Sequence, residues 1–148
     1  MKPSSRFTLP RTGHVLLNRS VLAAMTNKQS NEDGSLSDEE IKWLVRRAKD
    51  GFAITTTAAA NVTEHGRGWD GEMGVWGDHQ LSGLTELAKQ LNATGTLSLA
   101  QIFHGGMRAP QSLNGVQPVS ASENTEDGMD GLYTRELSHE EVLEMIQS

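Results

Sequence analysis

Gln101 and Thr26 are the side chains of this 148-residue chain best suited to holding a flat polar ligand. A primary amide donates and accepts hydrogen bonds, which matches a heterocycle whose edge alternates donors and acceptors. The same amide can instead satisfy neighbouring backbone. The Thr26 hydroxyl can bond a ligand oxygen or cap its own loop. His104 follows just past a predicted strand end, where structural and ligand-contacting roles are both open. Arg108 can hold a phosphate or a loop carboxylate. Ala58-Ala59-Ala60 offers small side chains, either for close approach of a ligand or for tight packing.

Other chemistries are excluded or weakened. There are no cysteines, so disulfides, thiolate metal sites and a cysteine nucleophile are absent. The five histidines show no metal-ligand spacing and no H-E-x-x-H, so no metal site is expected. Gly66-Arg67-Gly68-Trp69-Asp70-Gly71 matches G-x-G-x-x-G. A dinucleotide fingerprint needs a strand directly before it and a helix directly after, and the glycine-rich Glu72-Met73-Gly74-Val75-Trp76-Gly77 is no helix start. A net charge of −6 and a pI near 5.3 argue against nucleic acid or an anionic membrane surface as partners. No long apolar segment marks a signal peptide or membrane span, which makes a cytoplasmic location the expectation.

These side chains need elements to hold them. Residues 21–24 form a short apolar run without helical period, predicted as a strand buried on both faces. A polar loop follows. Ser37-x-x-Glu40 then reads as a capping box opening a helix whose apolar face is Ile41, Leu44, Val45 and Ala48, ended by Asp50-Gly51. A second strand is predicted over 52–57 and a loop over 61–77. Asp78 is expected to cap a second helix with Leu81, Leu84, Leu87, Ala88 and Leu91 buried. A third strand is predicted over 96–102. A Gly/Pro/Ser/Asn-rich stretch then runs to about Glu136, beyond ordinary loop length. Ser138-His139-Glu140-Glu141 is a second capping box, opening a helix with Val142, Met145 and Ile146 on its apolar side. Ahead of all this, residues 7–9 and 15–17 flank a Gly-bearing turn and predict a hairpin. The order is βαβαβ with parallel crossovers, and ligand sites in such folds lie at the strands' carboxyl ends. Thr26, Gln101 and His104 all fall there.

With these pieces in place, the chain resembles the old yellow enzyme family of FMN-dependent oxidoreductases. Leu17-Asn18-Arg19 through Ala24-Met25-Thr26 is similar to the family's L-x-N-R…P-M-T first strand. Asp33-Gly34 and Arg47-Ala48-Lys49-Asp50-Gly51-Phe52 are similar to its D-G turn and R-A-x-G-G-F. Gly66-Arg67-Gly68, Gly74-Val75-Trp76-Gly77-Asp78 and Gln101-Ile102-Phe103-His104-Gly105-Gly106 are similar to its G-R, G-I-W-x-D and Q-L-x-H-A-G-R. Two departures stand out: Ala24 replaces a proline, and Arg108 is displaced by one position.

The resemblance implies an α/β chain, one domain over 1–148, forming the amino-terminal part of a (β/α)8 TIM barrel: a hairpin plus about three βα units. It implies FMN as cofactor and NADH or NADPH as reductant, with hydride passed to an activated alkene such as an α,β-unsaturated carbonyl. Ala24 and Met25 would line the flavin ring by their backbone, Thr26 would bond near its O4, Ala59 would lie against the ring system and Gln101 would bond the pyrimidine edge. The family's substrate-gripping His/His or His/Asn pair, its tyrosine proton donor and its FMN-phosphate groups would lie beyond Ser148, so catalytic residues are not assigned. A full barrel takes about 250 residues. The expected partners are therefore a small-molecule substrate and a second chain or carboxyl-terminal half completing the barrel, with homo-oligomers as a further option. The alternative is a non-catalytic half-barrel that self-associates through unpaired strand edges.

Overall fold

A computed structural model describes residues 2–125 and 133–148. The predicted hairpin is present: β1 (Phe7–Thr8) pairs antiparallel with β2 (Val15–Leu16). Asn18, just beyond it, donates from Nδ2 to the Gly51 carbonyl at 2.7 Å and so ties the hairpin to the turn at Gly51.

The sheet itself contains β3 (Val21–Leu22), β4 (Ile54–Asn61), β5 (Met73–Gly74) and β6 (Leu97–Phe103), all parallel. β6 runs along one edge of β4. β3 pairs with the start of β4, and β5 with its end, so these two share the other edge. β5 lies inside the span expected to be loop. Its two residues, Met73 and Gly74, are too short a run to carry a strand pattern, and tertiary pairing with Ala60 and Asn61 makes them one.

Helix α1 (Asp38–Lys49) joins β3 to β4, and α2 (Leu81–Asn92) joins β5 to β6. Their inward faces close over the sheet. The core consists of Leu22 and Ala60 from the sheet, Leu36, Ile41, Leu44, Val45 and Ala48 from α1 and its approach, Met73, and Leu87 and Leu91 from α2. The predicted α1 face is fully borne out. Gly51, at φ +108°, turns the chain out of the helix in a conformation other residues adopt at a cost.

Three local expectations need correction. β3 is not buried on both faces: Leu22 is 6% exposed, but Val21 is 52% exposed, because only one side of the strand meets helices. Leu81 and Ala88 of α2 face solvent, since the helix lays a narrower stripe (Leu84, Leu87, Leu91) on the sheet. Asp78 caps nothing. A 3-10 turn, Asp78–Gln80, precedes α2, and the buried Gln80 side chain accepts the Trp76 and Gly77 amide hydrogens at 2.9 and 3.1 Å.

The long stretch after β6 holds a 3-10 turn (Gly106–Arg108), a single helical turn α3 (Gln111–Asn114) and β7 (Val119–Ser120), which pairs with β8 (Arg135–Glu136). Part of that stretch, 126–132, lies outside the described residues. Helix α4 (His139–Gln147) starts with the predicted capping box: Ser138 Oγ accepts from Glu141 N, and the Glu141 carboxylate accepts from Ser138 N at 2.7 Å. Arg135 forms a two-point pair with the same carboxylate at 2.8 and 2.6 Å and holds it down near a pKa of about 2. Ile146, on the apolar side of α4, is 75% exposed.

Candidate functional site

Parallel pairing sets the site. Residues directly paired across a sheet project to the same face, and neighbours along a strand alternate. Ala60 belongs to the helix-packed core, so Ala59 points to the opposite, inner face. Ala59 pairs with Gln101 in register, which puts these two predicted residues side by side. Gln101 is exposed and Ala59 is 7% exposed. Leu99, two residues before Gln101 on the same face, is 45% exposed, and Val21 opens onto the same side.

A bulge produces this pairing. Thr56 pairs with Leu99 but Ala59 with Gln101, so β4 carries one residue more than β6 over this step. The Thr57 hydroxyl fills the gap: it accepts the Gln101 amide hydrogen at 3.2 Å and donates to the Ala58 carbonyl at 2.7 Å. Bulges of this kind re-aim side chains beside functional sites.

Ala24, Met25 and Thr26 leave β3 at the same carboxyl end of the sheet. Met25 is 46% exposed, Thr26 is exposed and Ala24 is half-buried. The five predicted residues thus share one end of the sheet, and Ala59 and Gln101 are brought into direct pairing. An apolar shelf with an amide and a hydroxyl at its margin can hold a flat heterocycle.

The loops around this end are locked together. Glu40 is fully buried and does not complete the capping box predicted for it. Ser37 Oγ does accept the Glu40 amide hydrogen at 3.1 Å. The Glu40 carboxylate turns away, accepting from Asn27 Nδ2 at 3.0 Å and from Ser30 Oγ. Between those partners Lys28 sits at φ +53°, the one non-glycine with positive φ among the described residues.

The G-x-G-x-x-G stretch packs against this loop and against the end of β6. A Cβ on Gly71, at φ +73°, would lie 2.7 Å from the Lys28 carbonyl oxygen. A Cβ on Gly66 would lie 2.5 Å from the His104 ring, and one on Gly68 would lie 3.3 Å from Phe103. Its glycines allow close approach of protein to protein, and no helix follows, as the sequence indicated. The rings of Trp69 and Phe103 meet at a tilt of 43°, with centroids 5.5 Å apart.

Two titratable groups are shaped by this packing. Glu72, 2% exposed, accepts from Gly68 N at 2.6 Å through Oε2, while its Oε1 has no hydrogen-bond partner. Burial pushes its pKa up to about 7, against the pull of the Gly68 and Trp69 amides and the Arg67 charge. His104 is half-buried, and burial lowers its pKa. Its Nδ1 accepts from Gly106 N at 2.9 Å, a structural role that leaves the proton of the neutral ring on Nε2. A mostly apolar cleft of about 350 Å³ opens next to it, between Thr63, His65, Val119 and Met145, apart from the five predicted residues.

Thr57 and Glu72 were not singled out from sequence, and Glu40 was named only as half of a capping box. Glu40 carried a usable signal: it stands four residues before Leu44 and eight before Ala48, on the buried stripe of α1. The bulge that recruits Thr57 leaves no comparable mark.

Residues 11–148 match the NADH:flavin oxidoreductase / NADH oxidase family. Among curated relatives, the probable NADH-dependent flavin oxidoreductase YqiG of Bacillus subtilis (strain 168) is 33% identical over 138 residues, covering 93% of this chain and 37% of the relative. The NADH:acrylate oxidoreductase of Vibrio harveyi is also 33% identical over 138 residues, covering 93% of this chain and 14% of the relative. This chain therefore spans well under half the length of either. Among solved structures, a 2-naphthoyl-CoA reductase in complex with 2-naphthoyl-CoA superposes with a TM-score of 0.90 at 28% identity, over 98% of this chain and 24% of that one. The old yellow enzyme homologue from Zymomonas mobilis superposes with a TM-score of 0.86 at 21% identity, over 99% and 42%. The fold is accordingly that of the amino-terminal part of their (β/α)8 barrel.

Proposed function

This chain belongs to the NADH:flavin oxidoreductase / NADH oxidase family, and from that premise we propose that it supplies the ring-binding part of an FMN site in an old yellow enzyme-like oxidoreductase. The observation that carries the reading is the pairing of exposed Gln101 with Ala59 on the open inner face, fixed by the Thr57 bulge. The residue types fit the group. An isoalloxazine ring presents flat apolar faces and an edge of alternating donors and acceptors. Ala24, Met25 and Ala59 provide apolar surface, and Gln101 and Thr26 provide groups that both donate and accept.

FMN, when bound, supplies the hydride chemistry between NADH or NADPH and an activated alkene. The protein's share is orientation and tuning. Gln101 would hold the pyrimidine edge of the ring, and Thr26 would donate a hydrogen bond to it. Ala59 and the backbone at Ala24 and Met25 would pack against the ring. Support for an α,β-unsaturated substrate comes from the relative named for acrylate, an activated alkene of this type. By the family resemblance, the substrate-binding pair and the proton donor belong to parts of the relatives' barrel that this chain does not span. Flavin titration of the chain, followed by visible absorption and fluorescence quenching, tests the reading.

A second reading draws on the exposed edge. Leu99 at 45% and Ile102 at 72% exposure lie on β6, whose far side has no strand partner among the described residues. Such an edge templates pairing, and the chain would then be a non-catalytic, self-associating half-barrel. Sedimentation of the chain with and without FMN separates the two: flavin uptake supports the first, flavin-free oligomers the second.

A further inference from the structure

We propose that Glu40 is a positioning residue that acts through residues 27–30 to fix the direction in which Met25 and Thr26 are presented; the inference rests on the FMN reading above. Its carboxylate is fully buried and takes hydrogen bonds from Asn27 and Ser30, which stand one and four residues beyond Thr26. A well-packed apolar residue generally satisfies a buried helix position at least as well as a charge does. The carboxylate's distinguishing contribution is therefore to the loop it holds. Its position in the first turn of α1 suits it, because free amides and the helix dipole favour negative charge there.

The loop is held on both sides. Glu40 grips it from the helix, and Gly71 meets it from the opposite loop, where Ser30 N donates to the Gly71 carbonyl at 3.2 Å. Lys28, between the two gripped residues, keeps its left-handed backbone, a conformation that persists only where the surroundings enforce it. Met25 and Thr26 are themselves exposed, so this clamp on the following residues sets their direction.

The test uses the full chain and the variants Glu40→Ala, Glu40→Gln and Asn27→Ala, with Thr26→Ala as partner in a double-mutant cycle. Two quantities are read: the Kd for FMN by fluorescence quenching, and amide hydrogen exchange at Gln29 and Ser30 without FMN. Glu40→Ala and Asn27→Ala are expected to weaken FMN binding about tenfold, the effect of losing hydrogen bonds to a charged group. Glu40→Ala should also lose protection at both amides, and Asn27→Ala is read at Ser30 alone, because the Gln29 amide donates directly to Asn27 Oδ1 at 3.4 Å. Glu40→Gln can accept from Asn27 and donate to Ser30, and should restore both readouts. Glu40→Ala should cost little further on the Thr26→Ala background, because the two act as one unit. Wild-type FMN affinity in Glu40→Ala, full additivity with Thr26→Ala, or unchanged amide protection would each overturn the proposal. Should Glu40→Ala not fold, Asn27→Ala decides by the same readings. A wild-type chain that takes up no FMN would count against the flavin reading, and the exchange data would then still uphold or reject the clamp.

Discussion

Thr57 accepts the amide hydrogen of Gln101 at 3.2 Å inside a bulge of the central strand, and this bond sets the register that pairs Gln101 with Ala59. Thr57→Val keeps the shape and removes the acceptor. Losing this partly buried hydrogen bond should cost about 0.5–1.5 kcal/mol in urea denaturation. Thr57→Ser should stay close to wild type. Equal stability of the valine variant would show that the hydroxyl does not hold the bulge.

Gly71 is confined by both its φ of +73° and the Lys28 carbonyl. Gly71→Ala adds a methyl to a left-handed residue with backbone 2.7 Å away. The combined strain and overpacking should destabilise the chain by about 2–4 kcal/mol. Gly13→Ala is the control: its φ is +71°, but nothing lies within 4 Å of its Cβ position, so only the conformational part should appear. Chemical denaturation of the two variants measures the difference.

Glu72 should make stability depend on pH. Its folded pKa of about 7 lies above the unfolded value near 4.5, so the folded state holds the proton more tightly. The destabilisation is absent below about pH 4.5, grows as pH rises through the window up to about 7, and is complete above it. Glu72→Gln can still accept the Gly68 amide hydrogen through its carbonyl and removes the buried charge. It should be more stable than wild type at pH 8, by at most roughly 3 kcal/mol, with the gain vanishing near pH 4.5. A difference that does not change with pH would contradict this origin.

Leu44 is fully buried at the centre of the face α1 turns to the sheet. Leu44→Ala should cost about 2–5 kcal/mol, measured by thermal or urea unfolding.

Much of this architecture was legible because periodic apolar residues and caps are local signals. Ile41, Leu44, Val45 and Ala48 name the α1 face, and Ser138 with Glu141 names the start of α4. The strand-end positions of Thr26 and Gln101 follow from the same reading. What escaped it depends on residues far apart in the chain. Glu40 looks like half of a capping box until Asn27 and Ser30 claim its carboxylate. Met73 and Gly74 become a strand only by pairing with Ala60 and Asn61. Asp78 opens a 3-10 turn instead of capping α2, and the Gln80 side chain holds that turn by reaching back to the Trp76 and Gly77 backbone. Val21, Leu81 and Ala88 are apolar but exposed, since exposure depends on which faces other elements cover.

FMN titration of the wild-type chain, Gln101→Ala and Arg67→Ala decides whether Gln101 holds the flavin edge. Arg67 anchors a loop through the Glu32 carbonyl at 2.6 Å and is not assigned to the ring. The wild-type chain should quench FMN fluorescence and shift its visible bands. Gln101→Ala should lose affinity by about tenfold or more, and Arg67→Ala should lose far less. Equal retention of FMN by both variants would contradict the site.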